Sequence, residues 1–172
     1  RYARQGKCVV RLKGGDPCIF GRGGEEAEWL AQRGIEVELV NGITAGLAGA
    51  TQCGISLTQR GVARGVTLVT AHTLDGSSPE WHALAQTGTT LVVYMGVSSL
   101  QQVQLGLMEG GLSASTPVAM IENASLPQQR ECRSQLGVMC TDAAAFQLKS
   151  PAILVIGEVA AQAVTQVLSR IA

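Results

Sequence analysis

The segment between residues 9 and 26 constrains the fold of this chain more than any other part of the sequence. An apolar run from Val9 to Leu12 leads directly into the turn Gly14-Gly15-Asp16-Pro17. A second glycine-rich turn carries Arg22, and a helix pattern begins at Glu25. Glycines after a strand let a ligand approach bare backbone, and an arginine fork suits a carboxylate or phosphate. This order of elements predicts an α/β protein with a binding site for a polar ligand.

Composition indicates a folded soluble protein, because 46% of the 172 residues are hydrophobic and only 15% are charged. The net charge is zero, so no overall field would attract nucleic acid or a membrane surface. No apolar run approaches the roughly 18 residues of a membrane-spanning helix, and no secretory signal is visible. We therefore expect a cytoplasmic protein with neither a nucleic-acid nor a membrane partner.

The cysteines do not indicate a metal site. The chain has 5 of them, widely spaced and without a CxxC pair, and no histidine lies near any of them in sequence. We expect buried, reduced thiols and no bound metal.

Strand and helix patterns alternate along the chain. The predicted strands are Cys8–Leu12, Ile35–Val40, Val66–Thr70, Thr90–Tyr94, Pro117–Ile121, Gln129–Leu136 (as part of a hairpin) and Ala152–Ile156. The predicted helices are Glu25–Gln32, Thr44–Gln52, Glu80–Gln86, Ser98–Glu109, Thr141–Gln147 and Ala160–Ile171. Residues 56–64 show no periodicity. They predict a boundary between two α/β lobes, residues 1–60 and residues 61–172.

Continuous apolar strands such as Thr90–Tyr94 indicate sheets covered on both faces. Such a strand at Cys8–Leu12 needs neighbours on both sides, so we expect the first lobe to be incomplete in this sequence. Several polar or small turns directly follow predicted strands, among them Ala71-His72, Met95-Gly96 and Ala124. Because ligands of open α/β sheets bind beyond the carboxyl ends of strands, these turns are candidate binding positions.

An ordered series of motifs resembles a known family. VRLKGGDP and FGRGGEE are followed by GIT at 42–44, LTQRG at 57–61, VTAH at 69–72, YMG at 94–96, EN at 122–123, KSPA at 149–152 and GEV at 157–159. This series is similar to the tetrapyrrole methylases, in particular those that methylate uroporphyrinogen III. The resemblance covers nearly the whole chain and is more specific than a lone glycine motif.

The resemblance implies a two-lobed α/β methyltransferase fold of class III, with the cofactor in a cleft between the lobes. It implies S-adenosylmethionine as methyl donor, S-adenosylhomocysteine as its product, no metal and a homodimer. The implied reaction converts uroporphyrinogen III to precorrin-2, on the path to sirohaem or cobalamin. In some bacteria such a methylase is the C-terminal module of a sirohaem synthase, and the sequence does not show whether another module precedes it.

The resemblance also implies cofactor-binding residues, each with a simpler alternative. Asp16 could instead cap its own turn, Thr44 could cap the helix that follows, and Met95 could be a core residue. The implied cofactor-binding residues are Gly14, Gly15, Asp16, Ile19, Thr44, Ala45, Met95 and Ala124.

The carboxylate arms of the implied substrate require arginines, and the resemblance assigns Arg22, Glu25 and Arg60 to it. The alternatives are a solvated turn residue for Arg22 and a charge favoured by the helix dipole for Glu25. No catalytic base is identified. The family's GxGPGD turn belongs upstream of Arg1, and we expect the missing acid–base groups there, so the chain alone is expected to be inactive.

The sequence departs from the family pattern at four positions. Asn41 replaces a usual Pro, Gln59 replaces a His, and Ala71 and Ala124 each replace a Gly. Gln59 can form hydrogen bonds but cannot titrate near neutral pH. Ala124 permits a backbone contact only if the position does not need a positive φ.

Three other functions remain open from the sequence. The first is a related methylase that acts on a later cobalamin precursor, against which the pair LKGGDP and FGRGGEE argues. The second is a non-catalytic fragment that binds ligand weakly or forms half of a dimer. The third, a dinucleotide-dependent oxidoreductase, is weaker because no GxGxxG follows a predicted strand.

Overall fold

The computed structural model of the chain describes residues 1–72 and 77–161. It divides into two compact units, of which unit 1 is Arg1–Thr44 and unit 2 begins at Ala45. The division falls before the helix Ala45–Gln52, whereas the sequence predicts a boundary near residue 60. The aperiodic loop at 56–64 is therefore internal to unit 2. The assignment of residues 1–60 and 61–172 to the family's two lobes stays a prediction.

Unit 1 contains one short 3-10 helix, Ala3–Gln5, and the helix α1, Gly23–Ala31. The predicted helix at Glu25–Gln32 is thus confirmed with a slightly earlier start. The predicted strands at Cys8–Leu12 and Ile35–Val40 are wrong, because neither segment pairs with a neighbour in the part of the chain that the structure describes. Apolar residues alone do not make a strand, since its backbone groups need a partner strand for their hydrogen bonds.

Unit 2 confirms the alternation of strands and helices. Three strands have the predicted bounds, and the helix expected at Ala160–Ile171 lies almost wholly outside the described residues. The helices are α2 (Ala45–Gln52), α3 (Trp81–Ala85), α4 (Leu100–Glu109) and α5 (Met139–Phe146). The strands are β1 (Val66–Thr70), β2 (Thr90–Tyr94), β3 (Pro117–Glu122), β4 (Arg130–Gln135) and β5 (Ala152–Ile156). Short 3-10 segments occur at Val97–Ser99, Leu136–Val138 and Glu158–Ala161.

The strands form one mixed sheet in the order β1-β2-β5-β3-β4. β1 and β2 are parallel, while β5 runs antiparallel to both β2 and β3, and β4 runs antiparallel to β3. The carboxyl ends of β1, β2 and β3 therefore meet at one edge of the sheet. The start of β5 lies between two of them, because Ile153 pairs with Tyr94 and Ala152 pairs with Glu122.

The sheet is covered on both faces, as its apolar strands predict. On one face, Val93, Met120 and Leu154 belong to a core that includes residues of α3, α4 and α5. On the other face lies α2, whose glycines allow close contact. A Cβ at Gly46 would overlap the Tyr94 hydroxyl and the Val92 side chain. None of the helices in the described residues is long and apolar enough to cross a membrane.

Candidate functional site

A pocket of about 400 Å³ lies in unit 2 at the edge where the carboxyl ends of β1, β2 and β3 meet. Its volume is within the range of small-molecule sites in proteins. Its walls come from the start of α2, the turns after the three strands and the segment leading into β5. The lining residues are Ala45, His72, Tyr94, Met95, Ser98, Ile121, Asn123, Ala124, Leu126, Ser150, Pro151, Ala152 and Ile153.

Three of the predicted cofactor residues, Ala45, Met95 and Ala124, line this pocket together. They are far apart in sequence and share the pocket because each stands at an element end on the same edge of the sheet. His72 lines the pocket as well, and its backbone N–H donates to the Thr70 hydroxyl oxygen at 3.2 Å. His72 therefore lines the pocket and is also hydrogen-bonded at the end of β1.

Two lining residues adopt a left-handed backbone that is uncommon for residues with a side chain. Met95 has a φ of 54° and Asn123 has a φ of 53°. Met95 is 46% exposed, so it is not the core methionine that one alternative suggested. Ala124 is not among the residues with positive φ, so the replacement of the family's glycine introduces no backbone strain there. The left-handed conformations of Met95 and Asn123 at the pocket edge are typical of ligand sites.

Tyr94 fixes the position of the helix that forms one pocket wall. Its hydroxyl oxygen accepts a hydrogen bond of 3.0 Å from the backbone N–H of Gly46, in the first turn of α2. Tyr94 is only 7% exposed, so this bond satisfies a buried donor at a helix start. Sequence reasoning misses this role, because its only signal is an aromatic residue at a strand end.

Glu122 joins two further walls of the pocket. Its carboxylate accepts hydrogen bonds from the Arg130 guanidinium at 2.8 Å and from the Lys149 backbone N–H at 2.9 Å. The Arg130 guanidinium lowers the pKa of this buried carboxyl, and the Lys149 N–H lowers it further. The next residue, Asn123, donates its N–H to the Pro151 carbonyl. The turn after β3 is therefore tied to the segment that leads into β5.

In unit 1, the Gly14-Gly15-Asp16 turn is held by Asp16 itself. One carboxylate oxygen accepts from the Cys18 N–H at 2.7 Å and the other from the Gly42 N–H at 3.2 Å. Gly15 has a φ of 75°, and a Cβ at Gly42 would overlap the Gly15 carbonyl oxygen. The turn-capping alternative for Asp16 is thus realised. Cofactor binding by the same carboxylate stays a prediction, since each oxygen can accept a second hydrogen bond.

The other predicted residues of unit 1 lie around this turn and at the unit's end. Ile19 is partly buried, and Thr44 is the last residue of unit 1. Arg22 has a φ of 59° and forms an ion pair with Glu25, through Nε at 3.0 Å and Nη2 at 2.8 Å. The hydrogen bond from Glu25 raises the pKa of the exposed Arg22. The two predicted substrate residues therefore contact each other.

The third predicted substrate residue, Arg60, lies in unit 2 on a turn closed by backbone hydrogen bonds between Gln59 and Ala63. It is exposed and lines a shallow depression that is separate from the pocket described above. Gln59, which replaces the family's histidine, lines the same depression.

Cys8 and Cys18 are exposed, so the expectation that all of the thiols are buried is wrong. Both thiols are exposed because the segments of unit 1 that contain them form no strand or helix. Burial raises the pKa of the Cys53 thiol to about 12, which keeps it protonated. No cluster of metal-ligating side chains occurs within residues 1–72 and 77–161.

Comparison with known proteins gives the chain's relatives. Residues 1–139 match the family of tetrapyrrole (corrin/porphyrin) methylases. The uroporphyrinogen-III C-methyltransferase of Pseudomonas aeruginosa is 69% identical over 169 residues, covering 98% of this chain and 69% of that protein. The Pseudomonas fluorescens protein of the same name is 72% identical over 149 residues, or 87% of this chain and 60% of its own. A siroheme synthase of Xylella fastidiosa is 46% identical, and the chain spans 34% of its length.

Solved structures of methyltransferases resemble the fold of this chain. Uroporphyrin-III C-methyl transferase from Thermus thermophilus, complexed with S-adenyl homocysteine, has a TM-score of 0.81 and 37% identity, over 92% of this chain and 69% of that one. A cobalt precorrin-4 methyltransferase has a TM-score of 0.84 at 24% identity over 91% of this chain and 66% of that one, a likeness that shows the fold alone. The α/β methylase fold implied by the motifs is confirmed, and this chain belongs to the tetrapyrrole methylase family.

Proposed function

We propose that this chain functions in the S-adenosylmethionine-dependent C-methylation of uroporphyrinogen III to precorrin-2, a step toward sirohaem and cobalamin. The observation that carries the proposal is the 69% identity to the Pseudomonas aeruginosa uroporphyrinogen-III C-methyltransferase across 98% of the chain. The same substrate appears in the name of the Pseudomonas fluorescens relative. A homodimer in the cytoplasm, with the tetrapyrrole as small-molecule partner, completes the proposal.

The chemistry of the pocket in unit 2 suits a nucleoside that carries a sulfonium. Apolar side chains such as Met95, Ile121 and Ile153 can hold a flat purine, while backbone groups of the strand-end turns can bind its polar atoms. We assign Ala45, Met95 and Ala124 to the cofactor here, and Gly14, Gly15, Asp16, Ile19 and Thr44 in unit 1.

Substrate binding falls to arginines in this proposal. The tetrapyrrole carries acetate and propionate arms, and the chain has no overall charge with which to attract them. Fixed guanidinium groups are then needed, and Arg22 is held in a fixed orientation by Glu25. We assign Arg22, Glu25 and Arg60 to the substrate.

S-adenosylmethionine supplies an electrophilic methyl group, and transfer to carbon is an in-line displacement at that methyl. The chain's task is alignment, since the reacting atoms must be held about 3–3.5 Å apart with water excluded. The ties through Tyr94 and Glu122 keep the pocket walls in place for this alignment. A base that removes a pyrrole N–H proton would assist the reaction, and we assign no residue to that role.

The proposal is tested by an anaerobic assay of methyl transfer to uroporphyrinogen III, together with calorimetric titration of S-adenosylhomocysteine. We expect a single cofactor site and the dimethylated product. Both measurements use two proteins. The shorter protein consists of residues 1–172, and the longer protein joins these residues to the part of the Pseudomonas aeruginosa enzyme that the chain does not span. We expect the longer protein to be active and the shorter one nearly inactive, because apolar residues of unit 1 such as Val10 are exposed in the chain as described.

Two results would contradict the proposal. If both proteins bind no S-adenosylhomocysteine, the cofactor assignment fails. If the longer protein methylates only a later cobalamin precursor and leaves uroporphyrinogen III unchanged, the related-methylase alternative is correct.

A further inference from the structure

We infer that Arg64 acts with Arg60 as a paired-arginine site that binds two neighbouring carboxylates of the tetrapyrrole, one acetate and one propionate. This inference rests on the proposed function and deepens it, because it assigns the residue by which the protein distinguishes substrates with and without acetate arms. Arg64 belongs to none of the motifs that indicated substrate contact.

The first observation is the geometry of the turn. Gln59 and Ala63 exchange two backbone hydrogen bonds of 2.9 Å, and Gly61, with a φ of 81°, reverses the chain between them. Arg60 directly follows Gln59, and Arg64 directly follows Ala63. Ala63 is buried at 8% exposure, whereas both arginines are exposed at this turn.

The second observation is the charge. Arg60 and Arg64 are both exposed and line one depression together with Thr58 and Gln59. Among the residues that the structure describes, none of those that line this depression is acidic. Neither arginine takes part in an ion pair among the residues that the structure describes, whereas Arg22, Arg130 and Arg133 each contact a glutamate. An anionic ligand in this depression would supply the counter-charge that both arginines lack among the described residues.

The third step is the match to the ligand. Each guanidinium can bind one carboxylate through two parallel hydrogen bonds. Two guanidinium groups on one turn therefore suit a ligand whose two carboxylates are also neighbours. Uroporphyrinogen III carries an acetate and a propionate side by side on every pyrrole ring, whereas a coproporphyrin has methyl groups in place of the acetates. The hydroxyl of Thr58 and the amide of Gln59 add neutral hydrogen-bonding groups to the same depression.

The experiment measures the binding of uroporphyrin III and coproporphyrin III by porphyrin fluorescence. The parent is the longer protein described under the proposed function, and the variants are Arg64→Gln and Arg64→Lys in that protein. We expect Arg64→Gln to weaken uroporphyrin III binding by about tenfold and coproporphyrin III binding by less than about twofold, since one carboxylate contact is lost. Arg64→Lys should fall between, because it retains the charge without the fork. Arg33→Gln is the control, since Arg33 is exposed and stacks on the Trp29 ring in unit 1.

Equal losses for the two porphyrins, or no loss for either, would overturn the inference. Cofactor affinity provides the check on folding, and S-adenosylhomocysteine should bind all four proteins equally. The outcomes separate the inference from the proposed function. A parent protein that methylates uroporphyrinogen III, with an Arg64→Gln variant of unchanged porphyrin selectivity, leaves the proposed function intact and removes the role of Arg64. A parent protein that binds neither porphyrin removes both.

Discussion

The apolar residues of the two units have opposite environments. In unit 2, Val93 and Leu154 are fully buried on neighbouring strands, whereas in unit 1 Val10 is 74% exposed and Val40 is 72% exposed. Both groups belong to apolar segments that lead to a glycine turn. The difference lies in backbone pairing, because each strand of unit 2 has a neighbour with which to exchange hydrogen bonds and unit 1 forms no described strand. The comparison shows that a β-like segment acquires its stability from its neighbours.

The largest expected effect comes from truncating an apolar side chain in each unit. Leu154→Ala should lower the free energy of unfolding by about 2–5 kcal/mol, since it opens a cavity in the core of the sheet. Val10→Ala, in an exposed segment, should change it by less than about 0.5 kcal/mol. Urea denaturation followed by circular dichroism measures both. Comparable losses would mean that Val10 is packed in solution and that the two segments do not differ in the way described.

The second prediction concerns the turn that holds unit 1 together. Asp16→Ala should weaken S-adenosylhomocysteine binding by about 1.5–3 kcal/mol if the carboxylate also contacts the cofactor. The matched control is Glu36→Ala, an exposed acid of the same unit. Calorimetric titration measures the affinity. An unchanged affinity in Asp16→Ala would leave Asp16 with its turn-capping role alone.

The corresponding test in unit 2 uses Tyr94→Phe, which keeps the ring and removes the acceptor for the Gly46 N–H. Leaving this buried donor without a partner should cost about 1–3 kcal/mol of stability. Cofactor affinity should fall as well, because the start of α2 forms a pocket wall. Tyr2→Phe is the control, since Tyr2 is 58% exposed. If Tyr94→Phe and Tyr2→Phe have the same stability and affinity, the hydrogen bond does not position α2.

A smaller effect is expected from Arg22→Lys. The lysine keeps the charge but cannot reproduce the two hydrogen bonds that Arg22 donates to Glu25, so the group loses its fixed orientation. In the longer protein of the activity assay, turnover of uroporphyrinogen III should fall about tenfold, while the affinity for S-adenosylhomocysteine stays nearly constant. Steady-state kinetics and titration on the same preparation separate the two effects. Equal losses of both would indicate that Arg22 supports the fold of unit 1.

The smallest effect is a dependence of stability on acid pH. The lowered pKa of Glu122 means that its ionised form favours the folded state. Its contribution is complete above the unfolded value of about 4.3 and is lost as the pH falls through the lowered folded value. Thermal unfolding between about pH 3 and 6 should therefore be less pH-dependent in Glu122→Gln than in the parent.

Glu26 provides the comparison in unit 1. Its pKa is also lowered, by a hydrogen bond from Lys13, but its side chain is 41% exposed against 7% for Glu122. Glu26→Gln should therefore flatten the pH profile less than Glu122→Gln does. A larger change in Glu26→Gln would show that exposure does not govern the difference.

Much of unit 2 could be predicted from the sequence, because its signals are local. The run Thr90–Tyr94 is apolar throughout, and glycines at 88 and 96 bracket it, so both the existence and the bounds of β2 could be predicted. The clustering of Ala45, Met95 and Ala124 followed from the rule that ligands bind beyond strand ends, applied to turns whose positions were already known. The ordered motifs indicated the family without any structural information.

Other features required the tertiary structure, because they depend on what lies opposite a residue. Whether Cys8–Leu12 becomes a strand depends on a partner, and no property of those residues reveals whether the partner is present. The packing of α2 on the sheet of unit 2 depends on residues far from it in sequence, such as Val92 and Tyr94 beside Gly46. The roles of Tyr94 and Glu122 depend on hydrogen bonds to Gly46 and Lys149, which are distant in sequence. The role inferred for Arg64 depends on its having no ion pair among the described residues. The sequence thus determined the elements of unit 2 and the family, and the spatial pairing of backbones and charges decided which residues form the candidate site.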